Sequence, residues 1–240
     1  MKTIVIGDTH GKSLWKLITE IEDADRVIFI GDYFDAFDIS GVEQIHNFKE
    51  IIEYKKTSGK EVILLIGNHD LSYWPGINGS AVSGYQRGIA LNIQQVLVEN
   101  KEHLQMCYQM DEFLFSHAGI SQEWLNSVIG VDKWGIDKIC ETVNELWLYK
   151  PLLFEFNGLD PYGDNLYQTP VWIRPLSLRR AGKMDKQLYK KYIQVVGHTR
   201  VKMIDIEGKA TGGRYYFIDT LDSSKEYLII NDGVVSVKNI

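Results

Sequence analysis

Short apolar runs separated by amphipathic stretches dominate the first two hundred positions. Residues 3–6, 26–30, 61–66, 112–115 and 192–196 are rich in Val, Ile or Phe, and each leads into Gly or Ser. Four to six such residues without polar alternation read as a strand buried on both faces. Between the first two runs, Leu14, Leu17, Ile18 and Ile21 recur at i, i+3, i+4 and i+7, which predicts a helix over 12–22. Val42, Ile45, Phe48 and Ile52 mark a second helix over 41–54. Strand, helix, strand, helix, strand with short connections predicts right-handed crossovers in an α/β sheet. Residues 84–100 and 137–149 also read as helical. Residues 150–175 hold Pro151, Pro161 and Pro170 with Gly158 and Gly163, and read as an irregular surface excursion.

Beyond Val201 the rhythm changes to short alternating runs at 202–206, 214–218, 227–230 and 234–237. Turns at Glu207-Gly208 and Asn231-Asp232-Gly233 separate them, which predicts an antiparallel meander forming a second sheet. No linker composition divides the chain. With 240 residues, near the upper limit for one hydrophobic core, a single domain over 1–240 is expected.

Composition narrows the function classes. Hydrophobic residues are 45% and charged residues 24%, ordinary globular values that exclude disorder and low-complexity classes. The net charge of −6 argues against a sequence-independent grip on a nucleic-acid backbone, so no extended nucleic-acid binding is expected. A small phosphorylated substrate at a locally positive site is compatible with it. The two cysteines, Cys107 and Cys140, match no disulfide or metal framework, which favours a reducing cytoplasm. The apolar run at the amino terminus is too short for a signal peptide, and the longest, 62–66, is far below a membrane span. A cytoplasmic protein without membrane contact is the expectation. Nothing in the pattern specifies self-association.

The chemistry sits where the buried runs end. They lead into Gly7-Asp8-Thr9-His10-Gly11, Gly31-Asp32-Tyr33-Phe34-Asp35, Gly67-Asn68-His69-Asp70, Ser116-His117-Ala118-Gly119 and Gly197-His198-Thr199. Loops beyond the carboxyl ends of strands in an open α/β sheet converge on one crevice, so these tips are expected to meet. Singly, each has a plainer reading: Gly-Asp after a strand is commonly a turn, and Asn68 alone suits one. Jointly they have no packing purpose. Carboxylates crowded without a cation would have raised pKa values and cost stability, and a pair of bound cations resolves that repulsion. Carboxylate, imidazole and amide oxygen without thiolate suit Mn, Fe, Zn, Co or Ni. Two ions sharing one carboxylate, about 3.5–4 Å apart, would be the arrangement of two-metal phosphoryl enzymes.

These blocks, with Trp172-Ile173-Arg174 and Val195-Val196 before Gly197, resemble the calcineurin-like metallophosphoesterases. They are closest to the branch holding the phosphoprotein phosphatases and bacterial dinucleoside tetraphosphatases. They cover about residues 3–200 in the family's order. The resemblance implies a four-layer αββα sandwich of two mixed β-sheets flanked by helices, and two divalent or trivalent transition-metal ions, Mn²⁺ foremost. Asp8 and His10 would hold one ion, Asp32 would bridge, and Asn68, His117 and His198 would hold the other. His69 would be the general acid, oriented by Asp35, while a metal-bridging hydroxide attacks phosphorus. Arg174 and Asn68 would bind the phosphoryl oxygens. Asp219-Thr220 resembles a late family feature read as structural.

Three departures qualify the match. Ala36 stands where phosphoprotein phosphatases carry a second phosphate-binding arginine, and Arg87 is the candidate replacement, against the plainer reading of a solvated helix arginine. Asp70 stands where that branch usually has Glu. Thr199-Arg200 follow His198 in place of the second histidine of phosphodiesterase-like members. The aromatics around the motifs (Tyr33, Phe34, Phe37, Tyr73, Trp74, Tyr85, Trp172) read first as loop packing and second as a base-stacking rim. The expected function is therefore hydrolysis of phosphomonoesters, including phosphorylated Ser, Thr or Tyr in proteins. A nucleotide phosphoanhydride or phosphodiester hydrolase such as a dinucleoside polyphosphatase is the second reading. An inactive phosphate-binding module is the third.

Overall fold

The computed structural model describes residues 1–79, 82–131, 133–184, 186–207 and 214–240. The chain opens β1 (Lys2–Ile6), α1 (Leu14–Ile21), β2 (Arg26–Phe29), α2 (Gly41–Thr57), β3 (Glu61–Leu65) and α3 (Asn68–Leu71). It continues α4 (Ala90–Glu99), β4 (Leu104–Gln105), β5 (Cys107–Met110), β6 (Phe113–Ser116), α5 (Gln122–Ile129) and α6 (Ile139–Tyr149). The last third holds α7 (Pro175–Met184), α8 (Lys186–Lys191), β7 (Ile193–Val196), β8 (Asp205–Glu207), β9 (Tyr215–Phe217), β10 (Glu226–Asn231) and β11 (Val234–Asn239).

Two mixed sheets result. The first has the order β11-β10-β1-β2-β3-β4, with β1 to β4 parallel and β10 antiparallel to β1. The second has the order β5-β6-β7-β9-β8, parallel through β6, β7 and β9. Strand alternation explains why the apolar runs show no polar face. Val5, Ile28, Ile63 and Leu65 meet Phe113, Phe115 and Val195 between the sheets. Ile4, Ile6, Val27, Phe29, Val62 and Leu64 point the other way, onto Trp15 and Ile18 of α1, Phe48 and Ile51 of α2, and Ile93 of α4. On the far face of the second sheet, Leu178 of α7 packs against Val196, Tyr215 and Phe217. The layers are helices, sheet, sheet, helices.

The C-terminal meander is a correction. The four runs after Val201 do not form one sheet: β8 and β9 extend the second sheet, while β10 and β11 extend the first. The reason is burial. Tyr227 and Ile229 of β10 reach the helix-side core and Leu228 and Ile230 the inter-sheet core, so β10 needs cover on both faces. Pairing with β1 provides it, leaving β11 as the exposed edge. The turn expected at Glu207-Gly208 falls on residues outside those described. The excursion at 150–175 carries only a short 3₁₀ turn, Pro151–Phe154. Among the described residues no helix is long and apolar enough to cross a membrane.

Candidate active site

The parallel strands of both sheets deliver their carboxyl-end loops to one place: Asp8 and His10 after β1, Asp32 and Asp35 after β2, Asn68 and His69 in α3 after β3, His117 after β6, and His198 after β7. Four of these residues lie in the left-handed region of backbone space, His10 (φ 41°), Asp32 (53°), Asp35 (69°) and His198 (64°). Such strain, roughly 1–3 kcal/mol each, persists only where surrounding bonds over-determine it. They do so here. The Asp70 carboxylate accepts from Asp32 N (2.8 Å), Tyr33 N (2.7 Å) and Gly67 N (2.9 Å), tying the tip of β3 to that of β2. His10 N donates to Asp32 O (2.8 Å), and His198 N donates to Asp8 Oδ2 (2.9 Å). A Cβ at Gly67 would lie 2.0 Å from Asp32 Oδ1, and one at Gly197 would lie 1.9 Å from Asp8 Oδ1. The glycines of these motifs make room for the carboxylates.

The donor atoms form two groups that share Asp32. One ligand atom each from Asp8, His10 and Asp32 lies within 4.8 Å of the others. On the other side, Asn68 Oδ1 is 2.9 Å from His117 Nε2 and 2.8 Å from His198 Nδ1, and Asp32 Oδ2 is 3.3 Å from His117 Nε2. Asp32 Oδ2 also lies 3.9 Å from His10 Nε2. The second nitrogen of each ring is held by a backbone carbonyl: His10 Nδ1 by Phe34 O (2.7 Å), His117 Nδ1 by Ile30 O (3.0 Å), His198 Nε2 by Trp172 O (3.2 Å). A ring donating at one nitrogen presents a lone pair at the other, the arrangement that orients metal-binding histidines. Lone pairs meeting at the Asn68 oxygen fit a cation between them.

Electrostatics agrees. Burial, followed by the charges of Asp219 and Asp32, pushes the Asp8 carboxyl well above the usual carboxylate range. Burial also raises Asp32, but the His117 and His69 imidazoles outweigh it and hold this carboxyl below its ordinary value. Burial, with the charges of His117 and Arg174, drives His198 well below the usual imidazole range, which keeps it neutral as a ligand must be. Oxygen and nitrogen donors without thiolate fit divalent transition metals.

A separate pair stands beside these donors. His69 Nδ1 lies 2.8 Å from Asp35 Oδ2, whose other oxygen accepts from the Tyr73 hydroxyl. Burial lowers the His69 pKa, yet Asp32 and Asp35 overcome it and raise it to about 9. The His10 and His69 rings meet edge to face, with centroids 5.1 Å apart.

The model of the calcineurin-like phosphoesterases matches residues 1–219, nearly the whole chain. The chain belongs to this family. It is thereby a hydrolase of phosphoester bonds, and the family implies divalent metal ions at such donors. Comparison with curated proteins gives no match. Among solved structures, the protein-tyrosine phosphatase of a psychrophilic Shewanella species aligns with TM-score 0.62 and 18% identity, over 98% of this chain and 77% of that one. A protein serine/threonine phosphatase from Saccharomyces cerevisiae aligns with TM-score 0.57 and 15% identity, over 100% and 80%. A metallophosphoesterase from Sphaerobacter thermophilus aligns with TM-score 0.56 and 13% identity, over 100% and 88%. At such identities the likeness concerns the fold.

In this calcineurin-like phosphoesterase the donors open into a cleft of about 730 Å³. His10, Asp32, Asp35, Asn68, His69, Arg174 and His198 line it, while Asp8 and the fully buried His117 lie beneath. Arg174 Nη1 donates to Thr199 Oγ1 (3.2 Å) and its Nε to Tyr162 O (3.4 Å), which ties it to the 150–175 excursion. Arg87 is a correction. It is exposed at the turn Arg87–Ile89 and is not among the residues lining the cleft. Tyr85 stacks on Tyr73 (4.6 Å) and Gln86 N donates to Tyr73 Oη (2.8 Å), pinning this loop to the core and leaving Arg87 outside. Of the aromatics named from the sequence, Phe37 and Trp172 line the cleft, whereas Tyr33, Phe34 and Tyr73 are buried.

Sequence reasoning missed several residues here. Asp219, read as structural, lines the cleft and is almost fully buried. Tyr73 holds Asp35. Lys12 and Arg200 also line the cleft. The signal for both cations was present, since each directly follows a motif block, Gly11 and Thr199.

Proposed function

We propose that this cleft hydrolyses phosphomonoesters with a pair of transition-metal ions. Asp8 and His10 would hold one ion, Asn68, His117 and His198 the other, and Asp32 both. The observation that carries this reading is the position of Asp32 Oδ2 between the two donor groups, 3.9 Å from His10 Nε2 and 3.3 Å from His117 Nε2, beside a His–Asp pair and a guanidinium. When bound, the ions supply Lewis acidity to the phosphoryl oxygens and lower the pKa of water. Mn²⁺ is the first ion to test, as the donor set suits it.

The chain's own groups do the rest. With Nδ1 held by Asp35, His69 is left with Nε2 to carry the proton, and the Asp35 carboxylate favours the charged ring. Nε2–H passes that proton to the departing oxygen as the ester bond to phosphorus breaks, and the Asp35 carboxylate stabilises the imidazolium before transfer. Arg174 and Asn68 bind the non-reacting oxygens, the guanidinium offsetting the charge that accumulates on them. Phosphorylated Ser, Thr or Tyr side chains are the substrates favoured, in keeping with the protein phosphatases that share this fold. Both cysteines are free, which fits a reducing compartment.

The test is hydrolysis of p-nitrophenyl phosphate with added Mn²⁺. His69→Asn is expected to lower kcat by about 100-fold or more at unchanged metal content, the scale of a lost general acid. Equal turnover would remove His69 from the mechanism. A second reading, hydrolysis of a nucleotide phosphoanhydride or diester, draws support from Phe37, 84% exposed at the cleft beside Ala36. A panel of phosphopeptides, nucleotides and diesters separates the two by kcat/KM.

A further inference from the structure

Asp222 receives two cations from different parts of the chain. Lys12 Nζ donates to its Oδ1, and Arg200 Nη2 donates to its Oδ2 at 2.6 Å. Two positive charges face one negative charge, so the trio carries one net positive charge. Lys12, Arg200 and Asp222 all line the cleft that holds the metal donors. The cations are also reachable, the Lys12 side chain being 23% exposed and that of Arg200 59%. Each has donors to spare. Lys12 carries three N–H groups and Arg200 five, and among the described residues the side-chain hydrogen bond of each goes to Asp222.

The position of the trio decides what it can serve. A second cavity of about 790 Å³ adjoins the cleft, and the residues lining both are Lys12, Asp38 and Asp222. A substrate whose phosphoryl group occupies the metal donors and whose remainder runs into the second cavity must pass over Lys12. Asp38, the other acid at this threshold, is exposed, so water and salt screen its charge. Across the cleft, the loop that carries Ala36 offers no cation.

We propose that Lys12 and Arg200, braced by Asp222, bind a second anionic group of the substrate, one that is not transferred. Its chemistry is a phosphoryl or carboxylate group linked to the scissile phosphoryl. A lysine and an arginine presenting spare donors beside a net positive charge suit either. The carboxylate source would be an acidic residue next to a phosphorylated one, and the phosphoryl source a second phosphate on the same small molecule. This rests on the phosphomonoesterase reading above.

The experiment compares matched substrates. One pair is a phosphotyrosine peptide flanked by glutamates and its glutamine analogue. The other is adenosine 3′,5′-bisphosphate and adenosine 5′-monophosphate. For each pair the ratio of kcat/KM, doubly over singly anionic, is measured in the wild type, Lys12→Ala, Arg200→Ala and Lys12→Arg with Mn²⁺. The ratio is expected to fall about tenfold in the two alanine variants for one pair and to recover in Lys12→Arg. The pair that responds identifies the source. A ratio within twofold of the wild type for both pairs overturns the proposal. Turnover is not needed to decide. In a His69→Asn background, calorimetric titration with the same ligands reads the same ratio as an affinity ratio. A binding ratio that falls on Lys12→Ala, together with a wild type that cleaves none of the esters with Mn²⁺, keeps the subsite and sinks only the hydrolase reading. A binding ratio that does not move sinks the subsite alone.

Discussion

A methyl group added at Gly67 would approach Asp32 Oδ1 to 2.0 Å, and that carboxylate also accepts from His69 N. Neither neighbour can give way without moving the carboxylate proposed to be shared by both ions. Gly67→Ala is therefore expected to weaken Mn²⁺ binding by at least about tenfold in calorimetry, the scale seen when a partner that orients a ligand is disturbed. Unchanged affinity would mean that Asp32 has room to shift without loss. Far from the cleft, buried Glu22 accepts from Lys2 Nζ (2.7 Å), Lys238 Nζ (2.9 Å) and Tyr227 Oη (2.9 Å). Burial raises its pKa, but those donors outweigh it and bring it from 4.5 to about 2. A depressed carboxyl contributes stability above its unfolded pKa that disappears as pH falls through its folded one. Urea unfolding should find Glu22→Gln less stable than the wild type above pH 5. The gap should close as pH falls from 5 towards 2, and a gap independent of pH would contradict the assignment.

The elements are built to hold loops, and the loops are where non-local bonds concentrate. α2 begins at a reciprocal cap, with Ser40 and Glu43 exchanging bonds. One turn later its buried Gln44 accepts from Ala36 N and donates to Ala36 O and Ile39 O, which fixes the loop following Asp35. Asp70 does the same between β2 and β3. Asp70→Ala would leave three backbone N–H groups without their acceptor. At about 1 kcal/mol or more for each, a loss of roughly 3 kcal/mol is expected in urea unfolding. A loss under 1 kcal/mol would show that water replaces the carboxylate. Strands were the most legible elements, because a strand buried on both faces needs an unbroken apolar run. The helix α7 carries a weaker signal, although Pro175 opens it. Its stripe is short, and Ser177 and Gly182 occupy buried positions where an apolar side chain would have marked the face.

At the scale of the molecule, the residues proposed as metal donors join the two sheets. Asp8, Asp32 and Asn68 come from the first, His117 and His198 from the second. Ions bound there would lock the inter-sheet packing, and an unfolded chain has no such arrangement. Free Mn²⁺ at about 100 times its Kd is expected to add about 2.7 kcal/mol by mass action, raising Tm by roughly 5–10 °C over protein in EDTA. A Tm unaffected by metal or chelator would count against ions at these donors. The cleft also owes its cations to the whole fold. The chain has a net charge of −6, yet Lys12, Arg174 and Arg200 reach the cleft from three separated segments.

What the sequence determined by itself was local. Buried strands and the polar tips that follow them are written in consecutive residues, so the αββα class and the tips that converge on one cleft were readable there. What tertiary structure decided was pairing between distant segments. It sent β10 to β1 because both faces of that strand had to leave water, and it left Arg87 outside the cleft because Tyr85 stacks on Tyr73. It brought Lys12 and Arg200 onto one carboxylate although 188 positions separate them, Asp222 lying 210 from one and 22 from the other. Periodicity reports which face of an element leaves water, whereas the partner that covers it depends on the free energy of the whole fold.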